Sequence, residues 1–262
     1  MWFPQHLLNM IETPTRRWPL GRQRSRVQTR RRDNNNTTSE NIIDIKDYKK
    51  PLQKNVVLLP KNRAQEKYID ALKNPDISVV VATGPAGTGK TMLATLSAVK
   101  MLKENSIDKI IITRPAVSVD EQHGFLPGTL IDKMQPWVLP ILDYFYEYYS
   151  KKQVLTMIEN NLIEIAPLAY MRGRTFRNSF IIADECQNTT VSQMKMLLTR
   201  IGPGSRIVVT GDMEQHDRGY EENGLKDFLD RVQPTAGIAT CNFAKKDVER
   251  HPMIETILNF YQ

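Results

Sequence analysis

The chain has 262 residues, of which 40% are hydrophobic and 25% are charged, a composition typical of a globular protein. It contains no run of about 18 apolar residues, which argues against a transmembrane helix. Its two cysteines form no CxxC pair and no disulfide framework. We therefore expect a cytoplasmic protein that does not bind a membrane and holds no metal through cysteine.

The net charge of +7 comes from the beginning of the chain. Residues 1–32 contain eight arginines and a single acid, Glu12, and a polar stretch follows at 33–40. This composition predicts a disordered, arginine-rich tail over residues 1–50. Three interpretations stay open: a solvated arm, an arm that binds the phosphates of RNA or DNA, and an organellar targeting peptide.

From residue 51 to residue 262, short runs rich in Val and Ile alternate with helical patterns. The predicted strands are 78–82, 109–113, 162–166, 180–183, 206–210 and 237–243, and the predicted helices are 63–73, 90–104, 151–160, 190–200, 222–232 and 246–260. Continuous apolar runs are typical of strands buried on both faces. The alternation predicts one α/β domain with a doubly wound parallel sheet.

The first predicted strand and the second predicted helix flank a sequence of the form GxxxxGK[ST]. It consists of Gly84, Pro85, Ala86, Gly87, Thr88, Gly89, Lys90 and Thr91. In such a P-loop the glycines let backbone N–H groups point at phosphate, and the helix N-terminus adds its positive end. Lys90 is predicted to contact the β- and γ-phosphates, and the Thr91 hydroxyl to bind Mg²⁺. The segment therefore predicts a site for ATP and Mg²⁺.

An insertion at about 115–150 interrupts the alternation and carries an aromatic run. The run comprises Trp137, Tyr144, Phe145, Tyr146, Tyr148 and Tyr149. These rings could form a platform on which unpaired bases stack. Alternatively, Trp137, Ile141, Phe145 and Tyr148 or Tyr149 form the apolar face of an amphipathic helix.

Polar residues follow the fourth and fifth strands of the predicted core. The strand at 180–183 ends in Asp184 and Glu185; Asp184 is predicted to bind Mg²⁺ through water, and Glu185 to orient or deprotonate the attacking water. An ordinary acidic strand end is the alternative. After the strand at 206–210, Gln215 is positioned to contact both the γ-phosphate and that water, unless it is only a turn residue.

These motifs make residues 58–258 resemble the PhoH-like proteins, P-loop ATPases related to the core of superfamily-one helicases. The blocks that carry the resemblance are 64–65, 84–91, 113–117, 124–128, 170–175, 184–188, 210–212 with Gln215, and 247–252. Gly-Phe-Leu-Pro-Gly at 124–128 and Arg-Gly-Arg-Thr at 172–175 are its most specific parts. The resemblance implies a single RecA-like core that hydrolyses ATP with Mg²⁺.

The resemblance also implies roles for several other residues. Gln65 would contact adenine, and Arg114 would contact single-stranded nucleic acid. Arg172, Arg174 or Arg250 would neutralise charge at the γ-phosphate, although a structural ion pair is an alternative for each. Because a neighbouring subunit could supply this arginine, a homo-oligomer is expected, such as a hexameric ring.

Two classes of function remain. The first is a Mg²⁺-dependent ATPase coupled to RNA or single-stranded DNA. The second is an ATP-binding regulatory switch that acts on a protein partner with little turnover. A small-molecule kinase is disfavoured, because Asp184 and Glu185 prepare a water molecule and not a phosphate acceptor.

Overall fold

The computed structural model describes residues 55–115, 130–215 and 222–250, together with residues 253, 254, 257 and 260. At 130–136 it describes the backbone alone. The predicted tail at 1–50 lies outside the described residues, as do the Gly-Phe-Leu-Pro-Gly block and most of the last predicted helix.

Six parallel strands form one sheet. They are β1 (Val79–Thr83), β2 (Lys109–Thr113), β3 (Ile163–Ile165), β4 (Ser179–Ala183), β5 (Arg206–Gly211) and β6 (Ile238–Asn242). Their order across the sheet is β3-β2-β4-β5-β1-β6, and Val79 of β1 lies opposite Ile207 on one side and Ile238 on the other. The carboxyl ends of all six strands therefore meet at one edge, where open α/β sheets bind their ligands.

Helices cover both faces of the sheet. They are α1 (Arg63–Lys73), α2 (Lys90–Lys103), α3 (Leu130–Tyr146), α4 (Lys151–Glu159), α5 (Val191–Leu198) and α6 (Gly224–Arg231). Side chains of α1 to α4 share one hydrophobic core with Val80 and Ile110, whereas α5 and α6 share another with Val81 and Ile111. Neighbouring residues of a strand point to opposite faces, so the continuous apolar runs of the central strands supply side chains to both cores. The predicted α/β doubly wound sheet with a RecA-like core is confirmed.

The prediction that the last helix begins at residue 246 is wrong. Lys245–Asp247 form a single 3₁₀ turn, and Val248 has an extended backbone. The Asp247 carboxylate accepts a hydrogen bond from Ala244 N at 2.8 Å, which closes this turn. Because the backbone of Val248 is extended, the chain leaves the helical conformation directly after this single turn.

The aromatic run of the insertion packs mainly as a helix face. Phe145 and Ile141 of α3 are buried in the core shared with α2, and Tyr148 and Tyr149 pack against the same core. The ammonium group of Lys103 lies 5.3 and 5.1 Å from the centroids of these last two rings, within cation–π range. This packing favours the amphipathic-helix interpretation for most of the run.

Candidate nucleotide site

The P-loop joins the carboxyl end of β1 to the first turn of α2. Gly84 and Gly87 have φ angles of 136° and 86°, in a region that side chains with a Cβ rarely adopt. A Cβ at Gly84 would overlap with Phe243, and one at Gly87 would overlap with Arg250. Glycine at these positions therefore allows both the curl of the loop and the close approach of the chain beside it.

Lys90 lies inside the curl of the loop. Its Nζ donates hydrogen bonds to the carbonyl oxygens of Gly84 at 2.6 Å and Pro85 at 2.8 Å. Burial lowers the pKa of Lys90, while nearby carboxylates, that of Asp212 first, act in the opposite direction. The ammonium group is thus held at the loop by protein oxygens that phosphate oxygens could replace.

The two predicted metal-binding residues touch each other. Thr91 Oγ1, at the start of α2, donates a hydrogen bond to Asp184 Oδ1 at 2.8 Å, and Thr210 Oγ1 donates to the same oxygen. Hard oxygen atoms are the ligands that Mg²⁺ prefers, and Mg²⁺ usually completes its shell with phosphate and water. The donor set fits a magnesium ion bound together with a nucleotide.

Glu185 follows in a strained conformation. Its φ of 55° and ψ of 36° lie in the left-handed region, which is uncommon for a residue with a side chain and often marks a functional site. Its Oε2 accepts a hydrogen bond from Gln187 Nε2 at 2.6 Å, and Gln187 Oε1 accepts one from Asp212 N at 3.1 Å. Gln187 therefore links the ends of β4 and β5 and fixes the Glu185 carboxylate.

Sequence reasoning did not single out Asp212 as a site residue. Its side chain is 7% exposed, and its carboxylate accepts hydrogen bonds from Ala86 N of the P-loop at 3.2 Å and from Glu214 N at 3.1 Å. The signal that could have found it is its position at the carboxyl end of a fully buried strand, one residue after Gly211.

One cleft of about 220 Å³ brings together the P-loop and the residues predicted to bind the metal and the attacking water. It is lined by the P-loop with Lys90 and Thr91, by Asp184 and Glu185, and by Gln215. A larger, mostly apolar groove of about 680 Å³ lies near the amino ends of β2 and β3, beside α2 and α4. Because the motifs meet at the opposite edge of the sheet, the smaller cleft is the candidate site.

Tyr144 also lines this cleft, although the sequence placed it only in the aromatic run. It belongs to α3, which packs against α2. Burial raises the pKa of Tyr144, and the charges of Glu147, Asp143 and Asp184 act in the same direction. At neutral pH the phenol therefore keeps its proton and can donate a hydrogen bond.

Gln65 supports the P-loop from the protein interior. It is 1% exposed; its Oε1 accepts a hydrogen bond from Lys61 N at 2.9 Å, and its Nε2 donates one to Thr88 O at 3.1 Å. Its contact with adenine stays a prediction.

Arg114 follows β2 at the same edge of the sheet as the P-loop. Its Nε is buried and has no hydrogen-bond partner in the described part of the chain. Buried side-chain donors normally have a partner, so this N–H could donate a hydrogen bond to an acceptor atom of a bound ligand.

The three candidate arginines occupy different places. Arg174 forms a bidentate ion pair with Glu164 of β3, with one N–O distance of 3.0 Å. Because β3 is four strands from β1 in the sheet, this pair lies about 19 Å from the P-loop strand at roughly 4.8 Å per strand. Arg172 is exposed. Arg250, in contrast, packs on Gly87, and Glu249 N donates to Gly87 O at 2.9 Å.

The strand order, the P-loop and the Thr91–Asp184 contact define a P-loop NTPase with a RecA-like core. Comparison with known proteins narrows this class: the model of the family "PhoH-like protein" matches residues 57–262, and the chain belongs to that family.

Several curated relatives are similar over most of this chain. It is 44% identical over 207 residues to a PhoH-like protein of Synechocystis sp., 44% identical over 203 residues to one of Bacillus subtilis, and 39% identical over 208 residues to Protein PhoH of Escherichia coli K12. These matches cover 79%, 77% and 78% of this chain but 62%, 63% and 58% of the relatives. The chain thus spans about three fifths of their length.

Two solved structures show a weaker likeness. The SWI2/SNF2 ATPase core of Sulfolobus solfataricus, solved in complex with dsDNA, is 13% identical with a TM-score of 0.38, over 76% of this chain and 48% of that one. The Pif1 helicase of Candida albicans is 16% identical with a TM-score of 0.33, over 78% and 44%. Similarities of this size do not bear on function. Among the described residues, no helix has the length and apolar character needed to cross a membrane.

Proposed function

We propose that this protein binds ATP with Mg²⁺ in the cleft at the P-loop and hydrolyses it. The observation that carries the proposal is the contact between Thr91 and Asp184, with the fixed carboxylate of Glu185 directly beside it. Thr91 and Asp184 would bind the metal and Glu185 would act as the base, at the end of a loop that favours anions. Phosphoryl transfer to water requires these three parts together.

The P-loop supplies the binding of the phosphates. Its backbone N–H groups and the first turn of α2 favour negative charge, and Lys90 adds three donors. Thr91 and Asp184 would hold Mg²⁺, which neutralises charge that develops on the phosphate oxygens.

Glu185 and Gln215 are assigned to the attacking water. The Glu185 carboxylate accepts one hydrogen bond from Gln187 and has lone pairs left to orient a water or accept its proton. Gln215 lines the same cleft and can donate to a phosphate oxygen. Arg250 would contribute positive charge from within the same chain, because its side chain lies on the P-loop.

Replacing Arg250 by alanine should lower kcat for ATP about 30-fold, because a preorganised positive charge at the phosphates would be lost. Arg172→Ala is the matched control, since the Arg172 side chain is exposed and is not among the residues described in contact with the P-loop. Steady-state phosphate release measures both. A larger loss in Arg172→Ala than in Arg250→Ala, at unchanged thermal stability, would instead indicate an arginine supplied by a neighbouring subunit.

Coupling of hydrolysis to RNA or single-stranded DNA is the second part of the proposal. It is supported by Arg114, whose Nε is buried at the carboxyl edge of the sheet without a partner in the described residues. A nucleic-acid phosphate is a suitable acceptor for a guanidinium donor. The predicted arginine-rich segment at 1–32 would add non-specific attraction.

Phosphate release, followed with and without a single-stranded RNA, tests this coupling. We expect the RNA to stimulate turnover of the wild type, and Arg114→Ala to reduce the stimulation at least about fivefold with little change in the basal rate. Arg177→Ala, which removes an exposed arginine, is the control. Turnover that does not respond to RNA or DNA would contradict the coupling. ATP binding without turnover would favour the regulatory switch.

The homo-oligomer belongs to the same proposal. A ring would form by repeated head-to-tail contacts between copies of the chain. Light scattering with and without ATP gives the mass, and a monomer at working concentrations would contradict it.

A further inference from the structure

Besides the P-loop, the start of α2 and the ends of two strands, the insertion helix α3 contributes a side chain to the candidate site. Tyr144 comes from α3 and lines the cleft together with Lys90, Thr91, Asp184 and Glu185. The next residue, Phe145, is completely buried in the core, and the ring of Tyr144 packs in part against the same core. A side chain on a packed helix is positioned more precisely than one on a loop.

The neighbours of Tyr144 indicate which part of a nucleotide it would meet. Besides P-loop residues, the cleft is lined by the metal pair, the candidate base and Gln215. The proposed function assigns these last groups to the terminal phosphate and its attacking water. Gln65, the predicted adenine contact, is buried on its own partners and does not line the cleft. Tyr144 thus shares the cleft with the groups assigned to the terminal phosphate, and not with the predicted adenine contact.

The chemistry of the cleft also assigns a role to the phenol. Asp184 Oδ1 already accepts hydrogen bonds from Thr91 and Thr210. A neutral phenol beside this carboxylate cannot serve as a base, but it can donate to an incoming anionic oxygen. Donors placed where phosphate charge develops are the groups that favour phosphoryl transfer.

We propose that Tyr144 is a further residue of the nucleotide site, whose hydroxyl donates a hydrogen bond to an oxygen of the terminal phosphate of ATP and so distinguishes ATP from ADP. The proposal rests on the proposed function, since it needs a nucleotide in this cleft. Through this hydrogen bond, α3 would contact ATP directly and lose the contact in ADP.

The test is a comparison of ATP and ADP affinities in full-length protein. Tyr144→Phe removes the hydroxyl and keeps the ring, and Tyr146→Phe makes the same change two residues further on, where the ring faces Lys151. Both are made in a Glu185→Gln background so that ATP persists, and dissociation constants are measured by calorimetry with Mg²⁺. We expect Tyr144→Phe to weaken ATP about tenfold and leave ADP within about twofold, as for one lost hydrogen bond.

Each outcome has a distinct meaning. Equal weakening of ATP and ADP would overturn the proposal, because a merely structural role affects both nucleotides. Unchanged affinities for both would overturn it as well, as would a loss of the same size in Tyr146→Phe. If the parent Glu185→Gln protein binds neither nucleotide, the proposed function fails instead, which separates the two claims.

Discussion

Replacing Glu185 by glutamine should lower kcat for ATP by about 1,000-fold while the affinity for ATP stays within about threefold. Glutamine keeps the size of the side chain and can still hydrogen-bond to Gln187, but it cannot accept a proton from water. Glutamine at position 185 has to adopt the same left-handed backbone conformation as glutamate. The change should therefore leave the fold unaltered. Single-turnover phosphate release and equilibrium ATP binding measure the two parts separately.

Glu214→Gln is the matched control for this result. Glu214 is an exposed acid that follows β5 at the same edge of the sheet, and only its backbone N–H contacts Asp212. We expect turnover close to that of the wild type. Similar losses of kcat in the two variants would indicate a general effect of charge and would remove Glu185 from the role of base.

Replacing Lys90 by alanine should abolish most ATP binding, with a dissociation constant raised about 100-fold. The variant loses the ammonium group that lies inside the curl of the P-loop and would pair with the phosphates. ATP stabilises a protein that binds it, so the wild type should unfold at a higher temperature with saturating Mg²⁺ and ATP. Lys90→Ala should show almost no such shift.

Lys100→Ala provides the comparison on the same helix. Lys100 lies near the end of α2 and pairs with Glu104, four residues away, at 3.8 Å. In Lys100→Ala, Mg²⁺ and ATP should raise the unfolding temperature as much as in the wild type. A Lys90→Ala protein that is folded and still binds ATP as tightly as the wild type would show that the P-loop is not the nucleotide site.

The strands and the P-loop were predictable because their signals are local. Each buried strand is a short β-branched run, and the P-loop is one continuous motif between a strand and a helix. The meeting of Asp184 with Thr91 was also predictable, since the carboxyl ends of parallel strands share one edge. These local patterns were therefore sufficient for the fold class and for the centre of the site, whereas the RecA-like core was expected from the resemblance to a family.

The choice among the arginines was not predictable from the sequence. Arg174 and Arg250 both belong to the blocks that resemble the family. The sequence of these blocks does not indicate how far either arginine lies from the P-loop. Tertiary packing separates them, because Glu164 of the edge strand pairs with Arg174 while the turn at Lys245–Asp247 directs Arg250 onto Gly87. Pairings between distant segments leave no local pattern.

Tyr144 and Gln187 were missed for a related reason. Tyr144 stands among similar aromatic residues, and only the packing of α3 on α2 directs it into the cleft while Phe145 enters the core. Gln187 acts by joining Glu185 to Asp212, two residues that follow different strands. Such roles depend on which elements are neighbours in space, which a single sequence leaves undetermined.

Phosphate release from ATP by the purified wild-type protein, measured as a function of Mg²⁺ concentration, tests the proposed activity most directly. We expect turnover that requires Mg²⁺ and is lost when the metal is chelated, because Thr91 and Asp184 would hold the ion against the phosphates. ATP that binds at the cleft but is not hydrolysed at any Mg²⁺ concentration, with or without single-stranded nucleic acid, would contradict the assignment of an ATPase.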